Sequence, residues 1–175
     1  MITIDANILI YLIDPAASAP TDPATIQPVS RCRDRLEYLV LNLTKRGTKL
    51  LLPTPAVTEV LVKTGTSASR YLEEMRKMSV FRIADFDQRA ALECATIMGQ
   101  HWDGKLRALS KEVGKHRIKF DLQIVAVSKV HRSAEILSDD PGVKKLADLL
   151  SVPCRGIADL PLPPDPDQTE MFDDW

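Results

Sequence analysis

Four acidic residues, Asp5, Glu59, Asp121 and Asp140, occupy places from which carboxylates can reach a common point. Asp5 closes the β-branched run Ile2-Thr3-Ile4, and Asp140 follows Ile136-Leu137-Ser138-Asp139, so each comes at the end of a short apolar strand. Glu59 and Asp121 are expected in the first turns of helices opening at Thr54-Pro55 and near Phe120. In an open parallel sheet the carboxyl ends of strands and the starts of the following crossover helices share one edge, where ligands bind. Hard cations such as Mg²⁺ or Mn²⁺ take oxygen ligands, and two of them about 3.5 to 4 Å apart can activate water and stabilise the leaving oxygen of a phosphodiester. Without metal, clustered carboxylates repel and titrate high, so metal binding is expected to stabilise the fold.

Singly, each residue has a plainer explanation. Asp5 and Asp140 suit helix N-caps, Asp121 near a helix start favours the helix dipole, and Glu59 fits a solvated helix face. Their order, and the apolar strand or helix start preceding each, argue for a joint site. Asp139 competes with Asp140 for the fourth metal-ligand position.

The elements that must position these groups follow from periodicity. Short apolar strands are expected at 2–4, 49–52, 80–83 and 134–137, with an edge strand from 152, and amphipathic helices at 30–46, 67–77, 87–101, 120–130 and 141–150. Strands alternating with helices imply an α/β domain whose parallel sheet is covered on both faces. The stretch 14–28, rich in Pro, Ala, Ser and Thr, reads as a surface loop. With 175 residues, one domain over 1–160 is expected, followed at 161–175 by an acidic, proline-rich tail of extended or disordered character.

A net charge of -1 excludes a polycationic binder, so contact with nucleic acid needs a local basic patch. Lys105, Arg107, Lys111, Lys115, Arg117 and Lys119 lead into Asp121 and are expected to form a phosphate-binding ridge beside the acidic pocket. His116 and His131 are left out of catalysis, which metal chemistry does not require of them. Cys32, Cys94 and Cys154 are far apart and contain no zinc-clip spacing, so reduced thiols are expected. With neither a basic leader nor an uninterrupted apolar span at the start, the expected compartment is the cytoplasm, without a membrane.

Four stretches resemble those of PIN-domain nucleases, and among these the toxin subunits of VapBC-type toxin–antitoxin pairs. They are Ile4-Asp5-Ala6-Asn7, Pro55-Ala56-Val57-Thr58-Glu59-Val60, Phe120-Asp121-Leu122-Gln123-Ile124-Val125-Ala126 and Ile136-Leu137-Ser138-Asp139-Asp140; the resemblance spans 1–161. It implies a three-layer α/β/α fold with a central, mainly parallel sheet. It also implies a Mg²⁺- or Mn²⁺-dependent endoribonuclease leaving 5′-phosphate and 3′-hydroxyl ends. Asp5, Glu59 and Asp121 fall on the family's first three acidic positions and Asp140 on the fourth, while Asn7 and Ser138 match polar positions that orient ligands or water. A cognate antitoxin placing an Arg among the carboxylates, and a homodimer, follow from the same resemblance. The 14–28 loop, the basic stretch and the acidic tail exceed what compact members carry.

Three other readings compete. A haloacid-dehalogenase-like phosphatase also begins with an Asp after its first strand, but needs a second Asp two residues on, where this chain has Asn7. A PIN-like scaffold or nucleic-acid-binding module would keep the fold without hydrolysis. A DNA-associated nuclease could be recruited through the tail, where Gln168, Met171 and Phe172 resemble the short peptides that bind a bacterial sliding clamp, against the plainer reading of a solubilising tail.

Overall fold

Residues 1–14, 16–101 and 104–164 are described by the computed structural model, with the side chain of Lys115 excepted. The tail residues Gln168, Met171 and Phe172 lie outside the described residues.

The chain runs through β1 (Ile2–Ile4), α1 (Ala6–Ile13), α2 (Cys32–Lys45), β2 (Leu50–Pro53), α3 (Thr54–Thr64) and α4 (Ala68–Lys77). It continues through β3 (Phe81–Ala84), α5 (Gln88–His101), α6 (Lys105–Val113), α7 (Lys115–Val130), β4 (Ile136–Leu137), α8 (Pro141–Leu149) and β5 (Cys154–Arg155). The five strands form one sheet in the order β3-β2-β1-β4-β5, and every pairing is parallel. Thr3 stands opposite both Leu51 and Ile136, which fixes the register of the three central strands.

Alternation along these short strands divides the interior. Leu50 and Leu52 enter the core shared with Ile4, Leu9, Leu36 and Val60, whereas Leu51 turns to the other face beside Val127. Leu137 faces the first core, and its neighbour Ile136 packs with Leu106, Ile118, Leu122 and Leu146. Successive side chains of a strand point to opposite faces, and both faces are covered by helices. The result is the expected three-layer α/β/α arrangement. At roughly 25 cal/mol per Å² of apolar surface, burying each of these Leu and Ile side chains favours folding by about 1.5 to 3 kcal/mol before conformational entropy is subtracted.

Three local expectations change. The helix carrying Asp121 starts at Lys115 rather than near Phe120, because Gly114 at φ +97° separates it from α6 in a conformation that other residues avoid. Asp121 therefore lies in the second turn, and Glu59, the sixth residue of α3, likewise lies past the first turn expected for it. Thr54 does not cap α3; its Oγ1 accepts a hydrogen bond from the Phe86 amide at 3.0 Å, and Pro53 takes the cap position. The strand expected at 134–137 shortens to Ile136–Leu137, while Glu135 forks onto Arg155 with two bonds of 2.6 Å.

The loop after α1 is held by its own backbone. Asp22 N donates to Gln27 O, Ile26 N to Asp22 O and Val29 N to Pro20 O, each at 2.8 Å. Val29 is buried and anchors the far end. Past β5, Ile157 and Leu160 return to the core, and Arg35 donates to the carbonyls of Ala158 and Leu160.

Candidate metal centre at the strand-order switch

From β1 the chain builds outward to β2 and β3, then crosses back through α5, α6 and α7 to lay β4 on the other side of β1. The crevice at the carboxyl ends of β1 and β4 is therefore a topological switch point, where loops diverge and leave room for a ligand. Asp5 emerges from β1 into that crevice, and Ser138, Asp139 and Asp140 emerge from β4. Glu59 comes from α3 and Asp121 from α7.

Asp5 is 5% exposed and has a donor on each oxygen: the Ala6 amide reaches Oδ1 at 2.6 Å, and the Ser138 hydroxyl reaches Oδ2 at 2.8 Å. Burial raises its pKa to about 6 against those two bonds, helped by the charges of Glu59 and Asp140. Ser138 is fully buried, and its oxygen also accepts from the Asp140 amide at 3.0 Å. One hydroxyl thus links the first carboxylate to the backbone of the fourth.

Asp121 is equally buried at 5%, but its Oδ2 has no hydrogen-bond partner among the described residues. Burial is the largest cause of a pKa raised to about 7, and Asp140, Asp5 and Glu59 push it further while Arg117 opposes them. Burial likewise raises Glu59, with Asp140 adding to the effect and Lys63 and Arg117 resisting it. The four carboxylates therefore share one electrostatic field.

Asp140 caps α8, its Oδ1 accepting from Gly142 N at 2.6 Å and Val143 N at 3.3 Å, while its Oδ2 receives the Arg117 guanidinium. The capping reading and the cluster reading of this residue hold together. A Cβ on Gly142 would stand 3.0 Å from Asp140 Oδ1 and 3.2 Å from Asp121 Oδ2. The absence of a side chain there leaves the space between the two carboxylates open. Asp139 Oδ1 accepts from Ile157 N at 3.1 Å and lies 3.8 Å from Lys144 Nζ, while its Oδ2, like that of Asp121, is buried without a partner among the described residues. Asn7 sits in the first turn of α1 with a buried Oδ1 that has no partner among the described residues.

Among the described residues, no three Asp, Glu, His or Cys side chains are drawn together tightly enough to hold an ion as they stand. Protein donors occupy Asp5 and Asp140. The donor set nevertheless suits a hard cation, being all carboxylate oxygen with an orphaned, buried Asp121 Oδ2 at its centre.

The basic stretch divides between α6 and the first turns of α7. Lys105, Arg107, Lys111, Arg117 and Lys119 are exposed. Among the described side chains, Arg117 makes the contact with a site carboxylate; four residues before Asp121, it shares that face of α7. Lys105 instead borders a groove with Glu112 and Lys145 between α6 and α8. Nothing in the sequence announced the Arg117–Asp140 pair, which joins residues 23 apart. Burial raises the pKa of Cys32, Cys94 and Cys154, the last to about 11, which favours their protonated thiols.

No family model and no curated protein sequence matches the chain. Among solved structures it is similar to a chain of VapBC2 from Rickettsia felis bound to a DNA fragment from their promoter, with a TM-score of 0.54 and 13% identity over 89% of this chain and 98% of that one. It is also similar to a chain of DNA-bound VapBC from Salmonella typhimurium, with a TM-score of 0.54 and 11% identity over 89% of this chain and 97% of that one. The likeness is one of fold, the three-layer α/β/α PIN-like arrangement that the sequence motifs implied. Among the described residues, no helix is long and apolar enough to cross a membrane.

Proposed function

We propose that the protein is a Mg²⁺- or Mn²⁺-dependent endoribonuclease that hydrolyses phosphodiester bonds at the carboxylate cluster, leaving 5′-phosphate and 3′-hydroxyl ends. The observation that carries the reading is Asp121 Oδ2, a buried carboxylate oxygen without a donor in the midst of three other acids. Burying such a group costs several kcal/mol unless a cation or proton compensates it. Asp5, Glu59, Asp121 and Asp140 would hold the metal, with Asp139 as the alternative to Asp140. Bound there, the ion supplies an activated water and neutralises charge building on the phosphate. Ser138 orients Asp5, Asn7 offers a carboxamide beside it, and Gly142 keeps the approach to Asp121 open. The exposed cations of α6 and α7 attract the strand by its phosphates.

The structural neighbours carry VapBC names, which supports reading this chain as the toxin of a toxin–antitoxin pair, with a cognate antitoxin and a homodimer as its partners, acting in the cytoplasm. The decisive assay incubates purified full-length protein with single-stranded RNA and Mn²⁺. Cleavage should vanish with chelator and fall by several orders of magnitude in Asp5→Asn and Asp121→Asn. Equal rates in those variants would overturn the proposal.

A further inference from the structure

Beside the carboxylates, two cavities of about 280 and 200 Å³ adjoin along α1 and share Tyr11, Asp14 and Ala17 as their common wall. Asn7 and Lys63 border the larger one, which places its inner end at the cluster. Asn7 comes two residues after Asp5, and Lys63 lies one turn after Glu59 on the same face of α3. The smaller cavity continues past Tyr11 to Arg33 on α2. Ala17, Ser18 and Ala19, from the loop after α1, form the outer wall.

Resting on the nuclease reading, we propose that this furrow is a subsite for one or two nucleotides of a single strand, on one side of the phosphate held at the carboxylates, with a base stacked on Tyr11. The larger cavity has the volume of about one nucleotide, and aromatic faces hold unpaired bases sequence-tolerantly at about 1 to 3 kcal/mol per base. Lys63 at the entrance and Arg33 at the far end are exposed cations, Arg33 sharing its charge with Glu37 at 3.0 Å, and they stand where backbone phosphates of a bound strand would run. Asp14 lies at the junction, its Oδ1 fixed by the Ala16 amide at 2.9 Å. A carboxylate there repels phosphate, so the strand must turn toward Asp14 a base edge with an N–H donor, which every base has. A duplex, whose bases are already stacked and paired, offers no free base face to Tyr11.

The test measures fluorescence anisotropy of a labelled RNA of about eight nucleotides carrying all four bases. Its DNA counterpart and the same RNA annealed to its complement are the other probes, all with full-length protein in chelator so that nothing is cut. Both single strands should bind better than the duplex, the RNA and DNA arms reporting which sugar is preferred. Tyr11→Leu, which keeps apolar bulk against the core, should weaken single-strand binding about tenfold, and Tyr11→Phe should restore it. Arg33→Gln should weaken it and reduce its salt dependence. With Mn²⁺ present, Tyr11→Leu should raise KM while kcat changes little. Unchanged binding in Tyr11→Leu, or duplex binding equal to single strand, overturns the furrow even where metal-dependent cleavage is found. Tyr11-dependent binding without cleavage upholds the furrow and removes the nuclease.

Discussion

Arg117 places its guanidinium on the carboxylate of Asp140, across the space into which Asp121 and Glu59 also direct their charge. The Arg117 side chain is 61% exposed and that of Asp140 14%, so one partner is solvated and the other nearly enclosed. Such a pair holds by no more than about 1 kcal/mol, because water screens the exposed cation. It is a reversible cover over an oxygen that metal would need. Arg117→Gln is therefore expected to tighten Mn²⁺ binding by up to about fivefold, measured by calorimetric titration of the full-length protein. Weaker Mn²⁺ binding in this variant would show that Arg117 does not compete for Asp140.

Raised carboxylate pKa values make the metal-free fold depend on pH in a definite direction. Asp5 at about 6 and Asp121 at about 7 bind protons more tightly when folded than when unfolded, where Asp titrates near 3.8. Their contribution is fully present below the unfolded value and is lost as pH rises through about 6 to 7. Metal-free protein should accordingly melt higher at pH 5 than at pH 8. Asp121→Asn should flatten that dependence and stabilise the metal-free protein at pH 8 by at most about 4 kcal/mol. Mn²⁺ should raise the melting temperature of the parent at pH 8 and that of the variant far less. A metal-free parent that melts highest at pH 8 would contradict this account.

Much of this arrangement was legible in the sequence because apolar runs mark strand ends. Ile2-Thr3-Ile4 and Ile136-Leu137 delivered Asp5 and Asp140 to the carboxyl edge of the sheet, and Pro55 located the start of α3. Asp121 was assigned to the right helix but the wrong turn, since the apolar pattern begins strongly only at Leu122 whereas α7 starts after Gly114. Choosing between Asp139 and Asp140 was beyond periodicity. The turn after β4 aims one carboxyl at the Ile157 amide and the other at Arg117, a difference of backbone direction between neighbours. The ridge expected from a run of cations was resolved by the α6–α7 break, which distributes its charges over two helices. The furrow at Tyr11 depends on where a loop packs, and turn-forming composition carries no such information.

Gly142 sets two tendencies against each other. Alanine normally favours a helix over glycine by about 1 kcal/mol, yet here its Cβ would meet Asp140 Oδ1 at 3.0 Å and Asp121 Oδ2 at 3.2 Å. Asp140 Oδ1 is tied to the amide of the same residue and cannot easily retreat. Gly142→Ala is expected to leave thermal stability within about 1 kcal/mol while weakening Mn²⁺ binding about tenfold, as changes beside metal ligands commonly do. Unchanged Mn²⁺ affinity would place the ion away from the gap between Asp121 and Asp140.

Ser138 offers the sharpest separation of geometry from charge. Its hydroxyl donates to Asp5 Oδ2 at 2.8 Å and accepts from the Asp140 amide at 3.0 Å, entirely out of solvent. Ser138→Ala leaves an acceptor and a donor unpaired, at a cost of about 1 to 3 kcal/mol. Because this bond holds the Asp5 pKa down against burial, its loss moves the pKa higher still. Cleavage that requires ionised Asp5 should then have its acid limb displaced to higher pH, with part of the rate recovered at alkaline pH. Ser138→Thr, which keeps the hydroxyl, should retain the parental profile where the added methyl is accommodated. A uniform loss of rate at every pH in Ser138→Ala would instead mean that the hydroxyl positions Asp140 and has no part in the charge state of Asp5.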